Sequence, residues 1–157
     1  MAEPGGRATR VATNEDADVI GRLLHAFNVE FDEPTPSPDS LAERVRQLIG
    51  SGDTTVVLGG DGPDGLAVLR FRPALWSAGL ECYVAELYVV PELRGRGLGR
   101  AIMDVAIEVA RGRGADTMDL GTDEFDTVAH HLYESLGFSN RTGGPEGELM
   151  FVYEREL

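Results

Sequence analysis

Residues 86–114 read Glu-Leu-Tyr-Val-Val-Pro-Glu-Leu-Arg-Gly-Arg-Gly-Leu-Gly-Arg-Ala-Ile-Met-Asp-Val-Ala-Ile-Glu-Val-Ala-Arg-Gly-Arg-Gly, and the rest of the chain is organised around them. It opens as an apolar strand that Pro91 ends, because a proline cannot extend a ladder of backbone hydrogen bonds. Three glycines and three arginines follow within residues 94–100, and a helical pattern then runs from Ala101 to about Arg111. Strand, glycine-rich turn and helix N-terminus predict an anion site, because the first amides of a helix lack internal partners.

The glycine spacing excludes two well-known phosphate motifs. A dinucleotide-binding fingerprint that starts at Gly95 needs a glycine in its sixth place, where this chain has Arg100. A P-loop needs a lysine, and all 14 basic residues of this chain are arginines. The pattern that remains is Arg-x-x-Gly-x-Gly, formed by Arg94, Gly97 and Gly99.

Length and composition indicate a single globular domain of 157 residues with a formal net charge of −13. Such an acidic chain does not suit nucleic acid, whose phosphates need a basic face. Five of the arginines nevertheless lie between Arg94 and Arg113, so the basic part of the chain coincides with the glycine-rich turn. One cysteine, no membrane-length apolar run and no leader pattern predict a cytoplasmic location.

Hydrophobic periodicity and turn residues predict the other elements. We expect a disordered tail at residues 1–6 and a single domain at 7–157, with a mixed sheet and helices on both faces. The predicted helices begin at Thr13 or Asn14, Ser40, Ala101 and Asp126, and the proline-rich segment 31–39 is predicted as a loop. The predicted strands are 7–12, 54–58, 66–72, 80–90, a buried strand at 117–120, 138–141 and 149–153. Strict alternation along the central strand places Cys82, Val84, Glu86, Tyr88 and Val90 on one face.

With these motifs the chain resembles the GCN5-related N-acetyltransferase (GNAT) superfamily. The resemblance covers nearly the whole chain. It is strongest in residues 86–113 and again in residues 129–138, Ala-His-His-Leu-Tyr-Glu-Ser-Leu-Gly-Phe, which look like the second signature of the family. It implies an acyl-CoA N-acyltransferase fold with a mostly antiparallel central sheet of about six to seven strands.

The resemblance also implies acetyl-CoA as the acetyl donor, without a metal. Its pyrophosphate would rest on the turn and its pantetheine arm would pair with the end of the central strand. Asp126 stands where the second signature usually has an asparagine that can donate to the cofactor. The cofactor-binding residues implied in this way are Tyr88, Val89, Val90, Arg94, Gly95, Arg96, Gly97, Leu98, Gly99, Arg100, Ala101 and Asp126.

Two residues are candidates for proton transfer in direct acetyl transfer to an amine. Tyr133 matches the tyrosine of the second signature and is the candidate acid for the departing thiolate, although its place in a helical apolar stripe equally suits a core residue. Glu86 interrupts the most apolar strand and is the candidate base, since a buried carboxylate is costly unless it is paired or used. Its alternative is an ion pair with a strand-borne arginine such as Arg70 or Arg72.

The acceptor side is predicted to be acidic. In this fold the first two helices and their loop wall the acceptor, and here they carry Glu30, Asp32, Glu33 and Asp39. With Glu86 these residues favour a small cationic amine. The alternatives are a protein or peptide N-acetyltransferase and a non-catalytic acetyl-CoA-binding module. A homodimer is compatible with the fold, and neither nucleic acid nor a membrane is expected as a partner.

Overall fold

The computed structural model describes residues 8–157. The predicted tail at residues 1–6 and the start of the first predicted strand lie outside these described residues. The elements that follow Ala8 are, in chain order, β1 (Thr9–Val11), α1 (Ala17–Glu30), α2 (Pro38–Ser51), β2 (Thr54–Gly59), β3 (Gly65–Pro73), β4 (Leu80–Val89), α3 (Leu98–Gly112), β5 (Ala115–Leu120) and α4 (Thr127–Ser135). Short 3-10 helices at Asn14–Asp16 and Pro91–Leu93 precede α1 and the glycine-rich turn, respectively.

The strands form a five-stranded sheet in the order β1-β2-β3-β4-β5. β1 to β4 pair antiparallel with their chain neighbours. β5 follows β4 through the crossover helix α3. The predicted mixed sheet is therefore confirmed, with five strands where six to seven are expected.

Helices cover both faces of this sheet, as predicted. One face contributes Leu66 and Val68 of β3 to a buried cluster with Ile20 of α1 and Val45 of α2. The opposite face meets α3, where an added Cβ at Gly65 would lie 3.0 Å from Ile102. The close approach of β2, β3 and α3 thus explains why glycines stand at Gly59 and Gly65, where Ile102 packs.

Local capping residues determine where the helices begin. Ser37 caps α2 by accepting a hydrogen bond from the Ser40 amide at 3.1 Å, and Pro38 takes the first helical position. α2 therefore begins two residues before the predicted start, inside the segment predicted as a loop. Before α1, the Asp16 carboxylate accepts from the Thr13 amide and pairs with Arg10 at 2.8 Å, and the hydrogen bonds from Arg10 are the main reason that its pKa falls to about 2.

The last two predicted strands do not form. Residues 138–141 and 149–153 contain one isolated bridge, Arg141 to Leu149, flanked by hydrogen bonds around the turn at residues 142–147. The alternation of apolar residues fits a strand, but a ladder also needs a partner strand, and two strands alone are marginally stable. β5 differs too, because none of its residues is buried, although a buried strand is predicted there.

The chain divides into two compact units, one that ends at Met118 and one at Asp119–Leu157. The first contains β1 to β4 and α1 to α3, and the second contains α4. The expectation of a single domain at residues 7–157 stays a prediction. Within residues 8–157, no helix combines the length and the apolar character that a membrane crossing requires.

Candidate functional site

The central strand β4 contains a bulge at Ala85. In the register of β3 and β4, Val68 lies opposite Glu86 while the next residue, Leu69, lies opposite Val84. One residue of β4 is therefore extra, as in a β-bulge, which bends a strand and leaves the extra residue out of the ladder. Bulges are frequent beside active sites because they redirect side chains.

The bulge overturns the strict alternation predicted for β4. Val84 shares a face with Leu69, whereas Tyr88 lies opposite Leu66 and so belongs to the other face. Glu86 is thereby turned to the face covered by α1 and α2. Without the extra residue, Glu86 would share the α3 face with Val84.

Glu86 is half-buried and has no partner for its carboxylate among residues 8–157. Desolvation by burial raises its pKa above the ordinary value for glutamate. The predicted alternative of an ion pair with Arg70 or Arg72 is not seen, because Arg72 pairs with Glu81 and the buried Arg70 Nε has no hydrogen-bond partner. The site thus holds a desolvated carboxyl group on the face that α1 and α2 cover. Its role as a base stays a prediction.

The glycine-rich turn has the backbone that the sequence predicts. Gly95 and Gly97 have φ of +73° and +81°, in the left-handed region that favours glycine. Gly97 is the residue that precedes α3, and an added Cβ at either glycine would meet nothing within 4 Å. The first two residues of α3, Leu98 and Gly99, have amides without a helical acceptor. Open space, bare backbone and free amides fit an anionic group.

Some residues of the predicted cofactor set have a backbone amide or a side chain that already contacts other parts of the protein. The Ala101 amide donates to the Gly97 carbonyl at 3.0 Å, which removes it from the predicted phosphate-binding amides. The Val90 amide donates to the Asp64 carbonyl at 2.9 Å, so it is not available to a pantetheine arm. The Leu98 side chain is buried in the core, which leaves only its backbone for a ligand.

The arginines near the turn have different roles. Arg113, just after α3, donates to the Gly52 carbonyl and lies 4.0 Å from the centre of the Phe71 ring, so it is structural. Arg111 pairs with Glu108 within the same helix. Arg96, in contrast, is exposed and has no side-chain partner within the part of the chain that the structure describes. Its guanidinium can meet an anion at the turn.

Arg94, the first residue of the motif, is held by α1 and β4. Its guanidinium makes two contacts of 2.8 Å with the Glu30 carboxylate, and its Nε donates to the Val89 carbonyl at 2.9 Å. It also lies 5.6 Å from the centre of the Tyr88 ring. The structure thus brings together three residues of the predicted cofactor set, Tyr88, Val89 and Arg94. Glu30 joins them, although the sequence predicts it for the acceptor side.

Tyr133 and Asp126 belong to the second unit. The Asp126 carboxylate accepts from the Ala129 amide at 3.0 Å, which confirms its predicted role as the cap of α4. The Tyr133 ring lies 6.0 Å from that of Phe138. Burial, and then the charge of Asp126, raise the pKa of Tyr133, so its phenol remains a proton donor at neutral pH. Their roles toward a cofactor stay predictions.

Other residue types that often serve in active sites have structural surroundings of their own. Trp76 is 92 % exposed, so it has no packing role within the described residues. Cys82 is buried. His25 and His130 each contact a backbone carbonyl through a ring nitrogen. No group of three metal-ligating side chains occurs between residues 8 and 157, and the expectation of metal-free chemistry stays a prediction.

Sequence reasoning missed two features of the site. No glycine or other turn residue marks the bulge at Ala85. The pairing of Glu30 with Arg94 joins residues far apart in the chain, although one signal was present. A carboxylate at the end of α1 opposes the helix dipole, which indicates that it serves something other than the helix.

Comparisons with known proteins agree on one family. The sequence model of the Acetyltransferase (GNAT) family matches residues 21–138. A mycothiol acetyltransferase of Thermobispora bispora is 38% identical over 110 residues, which is 68% of this chain but 32% of that protein. A thialysine N-epsilon-acetyltransferase of Mus musculus is 33% identical over 92 residues, 59% of this chain and 53% of that protein. The chain thus spans about a third to a half of the length of these curated relatives.

A solved structure covers the chain in full. A protein of Arthrobacter sp. FB24 described as an acetyltransferase is 40% identical, with 100% of both chains covered and a TM-score of 0.89.

Proposed function

Because the chain belongs to the acetyltransferase (GNAT) family, we propose that it is an acetyl-CoA-dependent N-acetyltransferase that acetylates the primary amine of a small cationic molecule directly. The observation that carries this proposal is that β4 bears a half-buried carboxyl group and is followed directly by the glycine-rich turn. β4 bears the Glu86 carboxyl, which has no partner within residues 8–157, and leads into the open turn around Gly95 and Gly97. A site for a base and a site for an anionic donor thus follow each other within about ten residues.

The turn fits the phosphates of acetyl-CoA. The backbone of Gly95 and Gly97 leaves room for an anion, and the amides of Leu98 and Gly99 would donate to it at the positive end of the α3 dipole. Arg96 would add a free guanidinium. When bound, acetyl-CoA supplies an acetyl group activated as a thioester, whose transfer leaves a thiolate that needs a proton.

Glu86 is the proposed general base. An amine is protonated at neutral pH and attacks only after it has lost a proton, which the Glu86 carboxylate can accept. Burial raises the pKa of Glu86 and so makes it a better base than an exposed glutamate. The lack of a neighbouring arginine partner leaves its oxygens available for the amine, directly or through a water molecule.

Tyr133 is the proposed general acid. Its raised pKa keeps the proton on the phenolic oxygen, where it can be given to a thiolate. Asp126 holds the first turn of α4 and thereby helps to fix the helix that carries Tyr133. The bulge at Ala85 offers backbone outside the ladder as a donor for developing negative charge.

The acceptor is proposed to be a small cationic amine. Glu86 lies on the face covered by α1 and α2, and Asp32, Glu33 and Asp39 are exposed around the loop between these helices. Glu30 no longer counts toward this charge, because Arg94 neutralises it. The relative named for thialysine acts on an ε-amine, and this name supports a small amino-acid-like acceptor.

The other expectations on partners and location are kept as proposals. A formal net charge of −13 supports the exclusion of nucleic acid, and an acidic surface is also unsuited to anionic membranes. A homodimer and a cytoplasmic location stay predictions.

The test is an acceptor screen with release of the CoA thiol as the readout. Polyamines, aminoglycosides, lysine analogues, neutral amines and peptide N-termini would be compared at saturating acetyl-CoA. We expect cationic small amines to turn over best and the Tyr133→Phe variant to lose about 10²-fold or more in kcat. Preference for peptides would support the protein N-acetyltransferase alternative. Binding of acetyl-CoA without turnover of any acceptor would support a non-catalytic module.

A further inference from the structure

All three guanidinium nitrogens of Arg94 contact the protein itself. Two terminal nitrogens meet the two oxygens of Glu30, and Nε meets the carbonyl at the end of β4. This fork-to-carboxylate geometry is the strong, orientation-specific form of an arginine ion pair. Arg94 is therefore unlike the free Arg96, although both belong to the same basic motif.

The pair connects three elements that surround the turn. Glu30 is the last residue of α1, Val89 is the last residue of β4, and Arg94 directly precedes Gly95, the first residue of the turn with positive φ. The left-handed conformations of Gly95 and Gly97 are accessible to glycine but not imposed by it, since glycine adopts many others. An anchor immediately before Gly95 restricts that freedom.

Aromatic residues support the same pair from the core side. The Tyr88 hydroxyl makes a long hydrogen bond of 3.4 Å to Glu30, and its ring lies under the Arg94 guanidinium and 5.0 Å from the ring of Phe27. Tyr88 is 4% exposed, so this support is rigid. The Glu30 carboxylate is thus held from two sides and does not point freely into solvent.

We propose that Glu30 is a positioning residue for the acetyl-CoA site: it holds Arg94, and through Arg94 the turn at Gly95–Gly97, in the conformation that receives the phosphates. The inference rests on the proposed function, since it concerns the donor of that reaction. It reassigns Arg94 from a ligand of the phosphates to the anchor of the turn and leaves Arg96 as the phosphate-binding guanidinium. It also makes the end of α1, a wall of the acceptor side, part of the donor site.

The direction in which the Kd for acetyl-CoA changes in Glu30→Gln distinguishes this positioning role from simple electrostatics. If Glu30 only competed with phosphate for Arg94, its neutralisation would free a cation and tighten binding of an anion. If Glu30 positions the turn, its neutralisation weakens binding although a negative charge has been removed. Isothermal titration calorimetry with acetyl-CoA therefore tests Glu30→Gln directly. We expect its Kd to rise roughly tenfold, within the range for side chains coupled in one network.

The matched control is Glu92→Gln. Glu92 is exposed, lies two residues before Arg94 and makes no hydrogen bond or ion pair within residues 8–157. Its charge also acts on Arg94, so its change removes a similar charge near the turn without breaking the bidentate pair. Its Kd should stay unchanged or fall. Arg94→Gln should weaken binding as much as Glu30→Gln, and the double variant no more than Arg94→Gln alone, because Glu30 acts through Arg94.

Steady-state kinetics give a second readout that a merely structural role would not produce. Glu30→Gln should raise the KM for acetyl-CoA with kcat at saturation unchanged, and circular dichroism should show a folded chain. An unchanged or lower Kd for Glu30→Gln, or additive losses in the double variant, would overturn the inference. Wild-type protein that does not bind acetyl-CoA would instead refute the proposed donor itself.

Discussion

Glu86 places an ionisable group where residues 8–157 provide no ion-pair partner. Its neighbour across the ladder is Val68. Of the arginines further along β3, Arg72 is paired with Glu81, and the charge of Arg70 acts on Asp53. An ionised carboxylate in such a place lowers the stability of the folded state, because burial costs it hydration. A residue that lowers the stability of the folded state in this way is a candidate for a functional role.

The stability cost of ionised Glu86 predicts how the Tm of a Glu86→Gln variant depends on pH. Burial raises the pKa of Glu86, so the folded state prefers the protonated form, and stability is lost as the pH rises through the folded-state pKa. Glutamine cannot ionise and avoids that loss. Glu86→Gln should therefore have a higher Tm than wild type at pH 7–8 and an equal Tm near pH 4, while its turnover falls by about 10²-fold or more.

Glu92→Gln serves as the comparison in the thermal unfolding series, since it removes an exposed carboxylate. Its Tm difference from wild type should be small over the same pH range. A Glu86→Gln variant that unfolds below the wild-type temperature at pH 7 would show that the Glu86 carboxylate has a stabilising partner, contrary to the structure.

At the scale of elements, local signals explain why the stretch from β4 to α3 could be predicted. Pro91 ends the strand, the glycines fit positive φ, and the apolar stripe of α3 follows within the same thirty residues. The cap at Asp126 is equally local. The start of α2 was misplaced by two residues because a proline at the first helical position resembles the prolines of the preceding loop.

The features that the sequence did not predict depend on distant partners. The alternation of apolar residues at 149–153 does not indicate whether a partner strand is present. In the described residues this segment forms one isolated bridge. The bulge at Ala85 is visible only in the register against β3. The pair of Glu30 and Arg94 requires α1 and the turn to meet, which no pattern within either segment encodes.

The turn itself predicts the behaviour of Gly97 variants. Nothing lies within 4 Å of an added Cβ, so Gly97→Glu should fold, at a cost of about 1 kcal/mol for a side chain at φ +81°. The new carboxylate would stand where the phosphates bind, so affinity for acetyl-CoA should be abolished in calorimetry. Gly97→Ala carries the same backbone cost without the charge and should bind more tightly than Gly97→Glu.

Gly50 offers a matched glycine outside the turn. It lies in α2, also has free space around an added Cβ, and does not have positive φ. Gly50→Ala should raise stability by about 0.5–1 kcal/mol, because alanine is the better helix former, with no change in affinity for acetyl-CoA. Undiminished acetyl-CoA affinity of Gly97→Glu would contradict the assignment of the turn.

At the scale of the whole molecule, the net charge of −13 repels an anionic donor. Acetyl-CoA approaches an acidic protein, so the local arginines and the α3 N-terminus must outweigh a repulsive field. Several of these arginines are neutralised by acids of their own, as in the pairs Arg111–Glu108 and Arg94–Glu30. Attraction of the phosphates therefore depends on the remaining arginines of the motif, such as Arg96, and on backbone amides, which do not titrate.

The same field favours a cationic acceptor, and salt can measure it. At saturating acetyl-CoA, where donor binding no longer limits the rate, kcat/KM for a polyamine should fall several-fold as NaCl shortens the Debye length from about 30 Å at 0.01 M to about 8 Å at 0.15 M. A neutral amine of similar size should show little change, because only a charged acceptor is steered by the field. A double variant, Glu33→Gln with Asp39→Asn, should reduce the salt dependence for the polyamine, since these exposed acids border the α1–α2 loop. Equal salt dependence for both amines would mean that acceptor choice depends on contacts within the site and not on the charge of the protein.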